Sequence, residues 1–364
     1  MARPNETPIP SAVIIGGCGF LGTAITHALL SKHPSCKITA ADIRSPSTHP
    51  SHPNITYATV DITSLSSITT LLETTRPAVV FHTASPVHGL GREIYFKVNV
   101  DGTRNVVTAC QTAGVKVLVY TSSAGVVYDG SALVNVDERH PFPAVPYDAY
   151  NESKAIGETT ALAANNTGAT RMLTTALRPA GIFGPGDRQL VPGFITVVKN
   201  NQTRFQLGDN TNMFDFTYID NLAVAHLLAA SVLLHQHATT GATTDKTVDQ
   251  RRHVDGTAMF ITNGQPVYFW DFAKAIWCHY GVYNAGSVVL PATLAYGVAA
   301  VAEAVSWCLR REPGFTRFRV KFSCSHRYFD IRKAKELLGY EAEVSLSEGL
   351  RRCIEWFRAE GEKK

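Results

Sequence analysis

A glycine-rich loop near the N-terminus constrains the fold of this chain more than any other feature of its sequence. Gly16, Gly19 and Gly22 have the spacing G-x-x-G-x-x-G, and they lie between a strand-like run at residues 12–15 and a helical pattern at residues 20–32. Glycines in this context allow a tight turn and a close approach of the backbone to a pyrophosphate. The N-terminus of the following helix then favours a bound anion. The loop therefore predicts a dinucleotide-binding site.

Short apolar runs alternate with helical patterns through the first half of the chain. Further strand-like runs occur at residues 37–42, 55–60, 78–82 and 116–120. Strands that are apolar without interruption and separated by helices indicate a parallel sheet that is covered on both faces. We therefore predict an α/β fold with a doubly wound parallel sheet (a Rossmann fold), which binds its ligands at the carboxyl ends of the strands.

The second half of the chain has a different character, with loops rich in glycine, proline and asparagine. We predict an NAD(P)-binding domain at residues 1–180, to which segments near 213–234 and 257–264 return. Residues 181–364 would form a smaller and mostly helical substrate-binding part. The polar, threonine-rich stretch at residues 235–255 is expected to be an exposed insertion.

Composition excludes several other classes of protein. The 364 residues are 45% hydrophobic and carry a net charge of only +4, without a long basic run, so we expect no nucleic-acid partner. None of the seven cysteines has C-x-x-C spacing, so we expect neither a disulfide framework nor a metal site. Residues 1–10 contain three prolines and no apolar run, which is unlike a secretory signal.

The least polar long stretch lies at residues 290–309. A proline, a glycine and a glutamate interrupt it, which makes it a poor membrane-spanning helix. Trp307 near its end and the arginines at residues 310–311 would suit a helix that lies at a membrane interface. A buried core helix is the alternative interpretation.

Acidic residues follow the second and third strands of the predicted sheet. Asp42 lies twenty residues after Gly22, where a carboxylate can bind the adenosine ribose, which favours NAD. Arg44 could instead neutralise the 2′-phosphate of NADP, so NADP is not excluded. Asp61 could contact the adenine, or it could cap the next helix.

A tyrosine and a lysine predict the catalytic chemistry. Tyr150 and Lys154 form a Y-x-x-x-K motif, and on a helix they would share one face. A tyrosine with its usual pKa of about 10 is a poor base at neutral pH. A nearby ammonium and the positive nicotinamide are expected to lower that pKa, so that Tyr150 removes the proton of an alcohol while hydride leaves. Ser122 and Ser123 end the fifth strand, where a hydroxyl would hold the substrate oxygen.

In these features the chain resembles the extended short-chain dehydrogenases/reductases, and within them the 3β-hydroxysteroid dehydrogenase branch. The motifs that carry this resemblance lie at residues 16–22, 82–86, 99–103, 121–123, 150–154 and 177–187. A closer resemblance to the fungal sterol-4α-carboxylate 3-dehydrogenases (decarboxylating) rests on residues 215–221, 260–263, 268–270, 312–320 and 326–330.

The resemblance implies roles for individual residues. Ser123 would donate to the substrate oxygen, Tyr150 would act as the base and Lys154 as its activator, since the spacing in the family favours Ser123 over Ser122. The residues expected to bind the cofactor are Gly16, Gly19, Phe20, Leu21, Gly22, Asp42, Arg44, Asp61, Ile62, Ala84, Ser85, Asn99, Tyr150, Lys154, Pro179 and Ile182.

The expected reaction is oxidation of a 3β-hydroxyl on a sterol or terpenoid to a 3-ketone, with loss of a 4-carboxylate. A dehydrogenase of secondary metabolism, or a reductase of terpenoid, polyketide or flavonoid-like ketones, is the alternative. A non-catalytic NAD(P)-binding regulator is a third, disfavoured by the intact catalytic motif. Because sterol precursors reside in membranes, we expect peripheral attachment at the cytoplasmic face of the endoplasmic reticulum, or else a cytoplasmic protein. Assembly as a homodimer is left open.

Overall fold

The structure, a computed structural model, describes residues 7–44, 52–240, 253–309, 311 and 315–361. The strands are β1 (Ser11–Ile15), β2 (Lys37–Asp42), β3 (Ile55–Thr59), β4 (Val79–His82), β5 (Val117–Thr121), β6 (Leu133–Val136), β7 (Leu173–Pro179), β8 (Gly181–Phe183), β9 (Phe205–Leu207), β10 (Met213–Phe214), β11 (Phe216–Tyr218), β12 (Thr257–Ile261), β13 (Val267–Tyr268), β14 (Val288–Leu290) and β15 (Arg327–Phe329). The helices are α1 (Phe20–Lys32), α2 (Leu65–Thr75), α3 (Arg92–Tyr95), α4 (Thr103–Ala113), α5 (Ala149–Ala163), α6 (Leu190–Lys199), α7 (Ile219–Thr240), α8 (Phe269–His279), α9 (Ala292–Cys308), α10 (Arg317–Cys324), α11 (Arg332–Leu338) and α12 (Leu346–Gly361). A π-helical segment, Phe96–Gly102, connects α3 to α4.

Seven strands in the described part of the chain form one sheet in the order β12-β7-β5-β4-β1-β2-β3. All neighbouring strands in it are parallel. The chain winds outward from β1 to β3 on one side and from β4 to β12 on the other, so the strand order reverses between β1 and β4. The predicted α/β class and doubly wound parallel sheet are confirmed, and ligands of such sheets bind at this reversal point.

Both faces of the sheet are covered, which explains why its strands are apolar without interruption. In β1, Ile14 joins a core cluster that contains side chains of α1 and α7, whereas Val13 and Ile15 join a second cluster with α2 and α4. Because successive side chains of a strand point to opposite faces, a strand with helices on both sides needs an apolar residue at each position.

Segments from the second half of the chain complete the sheet. β12 pairs with β7 at its edge, and α7 packs against α1. α7 is long and apolar enough to cross a membrane, yet 67% of it is buried inside the protein, as in a core helix. It continues to Thr240, so residues 235–240 belong to a core helix rather than to an insertion, although residues 238 and 239 are exposed as expected. Residues 241–252 of that insertion lie outside the described residues, and the division at residue 180 stays a prediction.

The later part of the chain also builds a small layer beside the carboxyl ends of the main sheet. A four-stranded sheet in the order β13-β10-β15-β6 brings together segments that are far apart in sequence. β8 pairs with β11, and β9 pairs with β14. Helices α8 and α10 pack against these short strands.

Helix α9 lies at the surface of this layer. Ala295 and Ala299 on one of its faces are buried against Val320 of α10. On its opposite face, four large apolar residues are each between 51% and 64% exposed, namely Leu294, Val298, Val301 and Val305. The helix is therefore packed on one side and apolar towards solvent on the other. The side chain of Trp307 and the whole of Arg310 lie outside the described residues.

Candidate active site

A cleft of about 880 Å³ opens at the carboxyl ends of the strands, where the strand order reverses. This volume is in the upper part of the ~300–1,000 Å³ found for ligand pockets. Of the residues predicted from the sequence for catalysis and cofactor binding, all except Asn99 line this cleft. No cluster of three metal-ligating side chains occurs within the described ranges.

The glycine loop forms a cradle at one end of the cleft. Gly16 has a φ of +84°, and a Cβ atom added there would lie 2.8 Å from the backbone nitrogen of Ala84. A Cβ atom on Gly22 would lie 2.2 Å from the carbonyl oxygen of Gly16, so the loop and α1 can approach this closely only without side chains. α1 begins at Phe20, directly after Gly19, and its first turn lines the cleft. This arrangement fits the pyrophosphate of a dinucleotide.

The end of β2 places a carboxylate next to the glycine loop. Asp42 accepts hydrogen bonds from the backbone N–H groups of Cys18 and Arg44, both at 3.2 Å. These bonds fix the carboxylate at the cleft wall, where Arg44 also lies. The arrangement suits an acceptor for the two hydroxyls of an adenosine ribose.

Asp61 and Ile62 lie beyond the end of β3 and line the same part of the cleft. The cap of α2 is Ser64, whose hydroxyl accepts from the backbone N–H of Ser67 at 3.4 Å. Asp61 accepts instead from the N–H of Thr63 at 2.9 Å. The structure therefore gives the capping role to Ser64 and leaves Asp61 at the cleft, where adenine is expected.

The two serines at the end of β5 have different surroundings. The hydroxyl of Ser122 is buried and donates to the carboxylate of Glu158 at 2.5 Å. The hydroxyl of Ser123 accepts from the backbone N–H of Gly125 at 3.1 Å, lines the cleft with Tyr150 and lowers the pKa of that tyrosine. Ser123 is thus the serine that acts on the hydroxyl of Tyr150, whereas the hydroxyl of Ser122 is engaged by Glu158.

Tyr150 lies in the first turn of α5, which Asp148 caps by accepting from the N–H of Asn151 at 2.7 Å. Its ring packs on those of His88 and Tyr95, with centroid distances of 3.9 and 5.5 Å. Burial raises the pKa of Tyr150 to about 12, and the nearby hydroxyl of Ser123 opposes that shift. The phenol is therefore protonated at neutral pH in this structure.

Lys154 lies one turn later on α5. Its ammonium donates to the carbonyl oxygen of Thr121 at 2.6 Å and lies 4.4 Å from the ring centroid of Tyr120. Burial lowers the pKa of Lys154 to about 7, whereas the charge of Glu158 raises it. Burial has the largest effect on the pKa of Tyr150, and Lys154 is not among its main influences. That the ammonium and the positive nicotinamide together lower this pKa stays a prediction.

Asn99 does not line the cleft. It is buried in the π-helical segment, and its amide nitrogen donates to the hydroxyl of Ser153 at 2.9 Å. The hydroxyl of Ser153 in turn donates to the carbonyl oxygen of Tyr150 at 2.8 Å. Asn99 therefore reaches the site through α5, and the structure gives it a positioning contact rather than a contact with the cofactor.

Four more predicted residues line the cleft between the glycine loop and Tyr150. Ala84 and Ser85 follow β4, and Pro179 and Ile182 lie at the end of β7 and in β8. Ser85 also lowers the pKa of Tyr150, as Ser123 does.

Several residues of the cleft were not assigned a role from the sequence. His88 contacts Tyr150, and Arg327 on β15 enters the wall from the small sheet. Aromatic residues supply much of the remaining wall on this side, namely Tyr128, Phe214, Phe318, Phe322 and Phe329. The only sequence signal for Arg327 was its place in the 326–330 motif, which by itself says nothing about the cleft.

The sequence profile of the 3-beta hydroxysteroid dehydrogenase/isomerase family matches residues 13–292, which is more than half of the chain. The chain belongs to this family. The match includes the glycine loop, the strand-end serines and the Y-x-x-x-K helix, so the family predicted from those motifs is confirmed.

Curated relatives match over nearly the full length. The sterol-4-alpha-carboxylate 3-dehydrogenase (decarboxylating) of Schizosaccharomyces pombe is 49% identical over 355 residues, covering 97% of this chain and 99% of the relative. The protein of the same name from Saccharomyces cerevisiae is 44% identical and covers 96% and 98%. The human protein of that name is 32% identical and covers 98% and 90%. These matches confirm the resemblance to the fungal group.

Solved structures share the fold at low identity. The epimerase Mth375 of Methanothermobacter thermautotrophicus has a TM-score of 0.73 and 22% identity, covering 98% of this chain and 94% of that one. The enzyme WbmG of Bordetella bronchiseptica, solved in complex with NAD, has a TM-score of 0.70 and 18% identity, covering 99% and 97%. At this level of identity the likeness supports the architecture alone.

Proposed function

We propose that this protein is an NAD-dependent dehydrogenase that oxidises the 3β-hydroxyl of a 4-carboxysterol to a ketone, with loss of the carboxylate as CO₂. The observation that carries this proposal is that Ser123, Tyr150 and Lys154 line the same cleft as the glycine cradle. The 49% identity to a sterol-4-alpha-carboxylate 3-dehydrogenase over almost the whole chain supports the choice of substrate.

The oxidation needs one base and one oriented hydroxyl. NAD, when bound, supplies the acceptor for the hydride that leaves C3. Ser123 holds the substrate oxygen, and Tyr150 next to it, once it has lost its own proton and is a phenolate, takes up the proton that this oxygen loses. Because burial raises the pKa of Tyr150 to about 12, loss of the phenolic proton before reaction becomes easier as the pH rises. Lys154, one turn away, carries a positive charge below its pKa of about 7.

The decarboxylation follows from the position of the new carbonyl. A C4 carboxylate beside a C3 alcohol has no electron sink, but beside a C3 ketone it is a β-keto acid. When the bond between C4 and the carboxyl carbon breaks, its electron pair forms an enolate on the C3 oxygen, and C4 then takes up a proton. Ser123 and Tyr150 already face that oxygen and can donate hydrogen bonds to the developing charge. The step consumes no oxidant beyond the one NAD.

The rest of the cleft suits a rigid apolar ring system. The side of the cleft that the small layer builds is formed by aromatic side chains, with Phe214, Phe318 and Phe322 in contact with one another through Phe322. Flat aromatic surfaces bury much apolar area at little conformational cost, as binding of a sterol body requires.

NAD rather than NADP is the proposed cofactor. The carboxylate of Asp42 is fixed by two backbone hydrogen bonds at the end of β2, where the adenosine ribose is expected. A 2′-phosphate at this position would face that negative charge, which Arg44 would have to outweigh.

Peripheral attachment to the cytoplasmic face of the endoplasmic reticulum membrane is part of the proposal. The exposed residues Leu294, Val298, Val301 and Val305 have the spacing i, i+4, i+7 and i+11 and so share one face of α9. The single acidic side chain of the helix, Glu303, is paired with Arg317 at 2.6 Å. This face would enter the headgroup region of a membrane that holds the substrate. A homodimer stays a prediction that light scattering would test.

The experiment is a substrate panel with the purified protein. A 4-carboxy-3β-hydroxysterol, the corresponding sterol without the carboxylate and a 3β-hydroxyterpenoid are each incubated with NAD, and NADH is followed by absorbance. We expect the highest kcat/KM with the carboxysterol. The proposal fails if none of these alcohols yields NADH, and reduction of terpenoid or flavonoid-like ketones with NADH or NADPH would then support the reductase alternative.

A further inference from the structure

An arginine in the wall of the cleft forms no ion pair with the described residues. The guanidinium of Arg327 lies 4.3 Å from the ring centroid of Tyr128, 5.3 Å from that of Phe322 and 5.6 Å from that of Phe214. The residue is half-buried, and its buried Nε atom has no hydrogen-bond partner. Withdrawing a charge from water without an ion-pair partner is costly, and aromatic faces compensate only part of that cost.

The backbone around Arg327 is fixed by the small sheet. β15 pairs with β10 on one side and with β6 on the other, and the carbonyl oxygen of Arg327 accepts from the N–H of Asp215 at 3.0 Å. The guanidinium is therefore held in the cleft wall by regular structure. Such a rigid position favours a recognition role.

The charge of Arg327 reaches the reacting end of the cleft. Burial lowers the pKa of His88, with an opposing effect of Asp148 and a further lowering by Arg327. The ring of His88 in turn packs on Tyr150 at 3.9 Å. Burial lowers the pKa of Arg327, and the charges of Tyr128 and Asp148 oppose that shift. Asp148 caps α5 and forms no ion pair with Arg327 within 4 Å among the described residues, so the guanidinium can bind a further carboxylate.

We propose that Arg327 binds the C4 carboxylate of the substrate and thereby selects 4-carboxysterols over sterols without that group. The inference rests on the proposed function, since it takes the C3 oxygen to lie at Tyr150 and Ser123. C4 is bonded to C3, so the carboxylate must lie beside the catalytic pair, on the part of the wall that the charge of Arg327 influences. The planar guanidinium can bind both carboxylate oxygens at once.

The cofactor phosphates are a poorer partner for this arginine. They are expected at the N-terminus of α1, whereas Arg327 belongs to the small sheet and its aromatic neighbours are Tyr128, Phe214 and Phe322. A purely structural role, in which the guanidinium only stacks on these rings, is the remaining alternative. It predicts no preference for a charged ligand.

The test is equilibrium binding of two ligands that differ only in charge, a 4-carboxysterol and its methyl ester. We expect the full-length protein to bind the acid roughly ten- to hundredfold more tightly than the ester, the scale of a hydrogen bond to a charged group. Arg327→Met should remove this preference, and Arg327→Lys should keep part of it. Arg332→Met is the matched control, because Arg332 is an exposed arginine on α11 that pairs with Asp330.

Two results would overturn the proposal. One is a wild-type protein that binds the acid no more tightly than the ester, including one that binds neither. The other is a folded Arg327→Met variant that keeps the preference for the acid over the ester while its affinity for NADH is unchanged. If this variant does not fold, an Arg327→Gln variant that keeps the full preference counts in the same way. A wild type that prefers the acid but forms no NADH from it would contradict the proposed function while leaving the assignment of Arg327 intact.

Discussion

The exposed apolar face of α9 allows a quantitative prediction of membrane binding. Complete burial of a leucine or valine side chain is worth roughly 1.5–3 kcal/mol. The side chains of Leu294, Val298, Val301 and Val305 are between 51% and 64% exposed, so each has about 1 kcal/mol left to gain on entering a membrane. Together they would contribute about 4 kcal/mol, or about a thousandfold in partitioning.

The perturbation is the double substitution Val298→Asp and Val301→Asp. It removes about 2 kcal/mol of apolar transfer, which corresponds to a loss of about thirtyfold in partitioning, and the two carboxylates make immersion costlier still. Flotation of the protein with phosphatidylcholine liposomes on a density gradient measures the bound fraction. We expect the wild type to float and the double variant to remain at the bottom.

The control keeps the chemistry of the substitution and changes its location. Leu65 is 42% exposed and begins α2, which packs with α4 on one face of the seven-stranded sheet, whereas α9 belongs to the small layer. Leu65→Asp should therefore float like the wild type. A wild-type protein that stays wholly in the soluble fraction would refute membrane attachment, and equal flotation of the double variant would refute the role of α9.

Three further predictions concern the catalytic and cofactor sites. Tyr150→Phe removes the base but keeps the ring, so kcat should fall by about two to four orders of magnitude while NAD affinity, measured by titration, changes little; retention of most activity would show that Tyr150 is not the base. Asp42→Ala should narrow the ratio of the NAD and NADP affinities, and tighter binding of NADP by the wild type would contradict the role given to Asp42. Ser123→Ala removes a hydroxyl that lowers the pKa of Tyr150, so the rise of kcat/KM with pH should move to higher pH; an unchanged or lower midpoint would speak against that influence.

Local spacing was enough to predict much of the site. The glycine loop, Asp42 and the pair Tyr150 and Lys154 each lie on one element or at its end, so their separation in sequence fixes their separation in space. α1 begins and ends at the predicted residues, Phe20 and Lys32. Features of this kind need only the geometry of one helix or one turn.

Features that depend on the local path of the backbone or on burial were harder to predict. Asn99 was expected among the cofactor residues and as a support of the site, and it lies in the π-helical segment, where it contacts Ser153. The pKa of Tyr150 is controlled by burial, which the sequence does not display. Lys154 was placed correctly on the helix, yet its hydrogen bond to Thr121 could not be read from the motif.

The small sheet was missed for a different reason. Its strands are between two and four residues long, and they pair positions as distant as Leu133, Phe214 and Arg327. Runs this short show no alternation that would identify a strand. The position of Arg327 in the cleft wall therefore becomes visible only in the folded chain.

The coupling of oxidation to decarboxylation is tested most directly by stoichiometry. A 4-carboxy-3β-hydroxysterol and NAD are incubated with the protein, NADH and CO₂ are quantified, and the mass of the sterol product is determined. The proposed reaction predicts equal amounts of NADH and CO₂, and a 3-ketone that has lost the carboxyl group. If NADH forms without CO₂ and the protein-bound ketone keeps its carboxylate, the coupling is contradicted. If no NADH forms, the oxidation itself is contradicted.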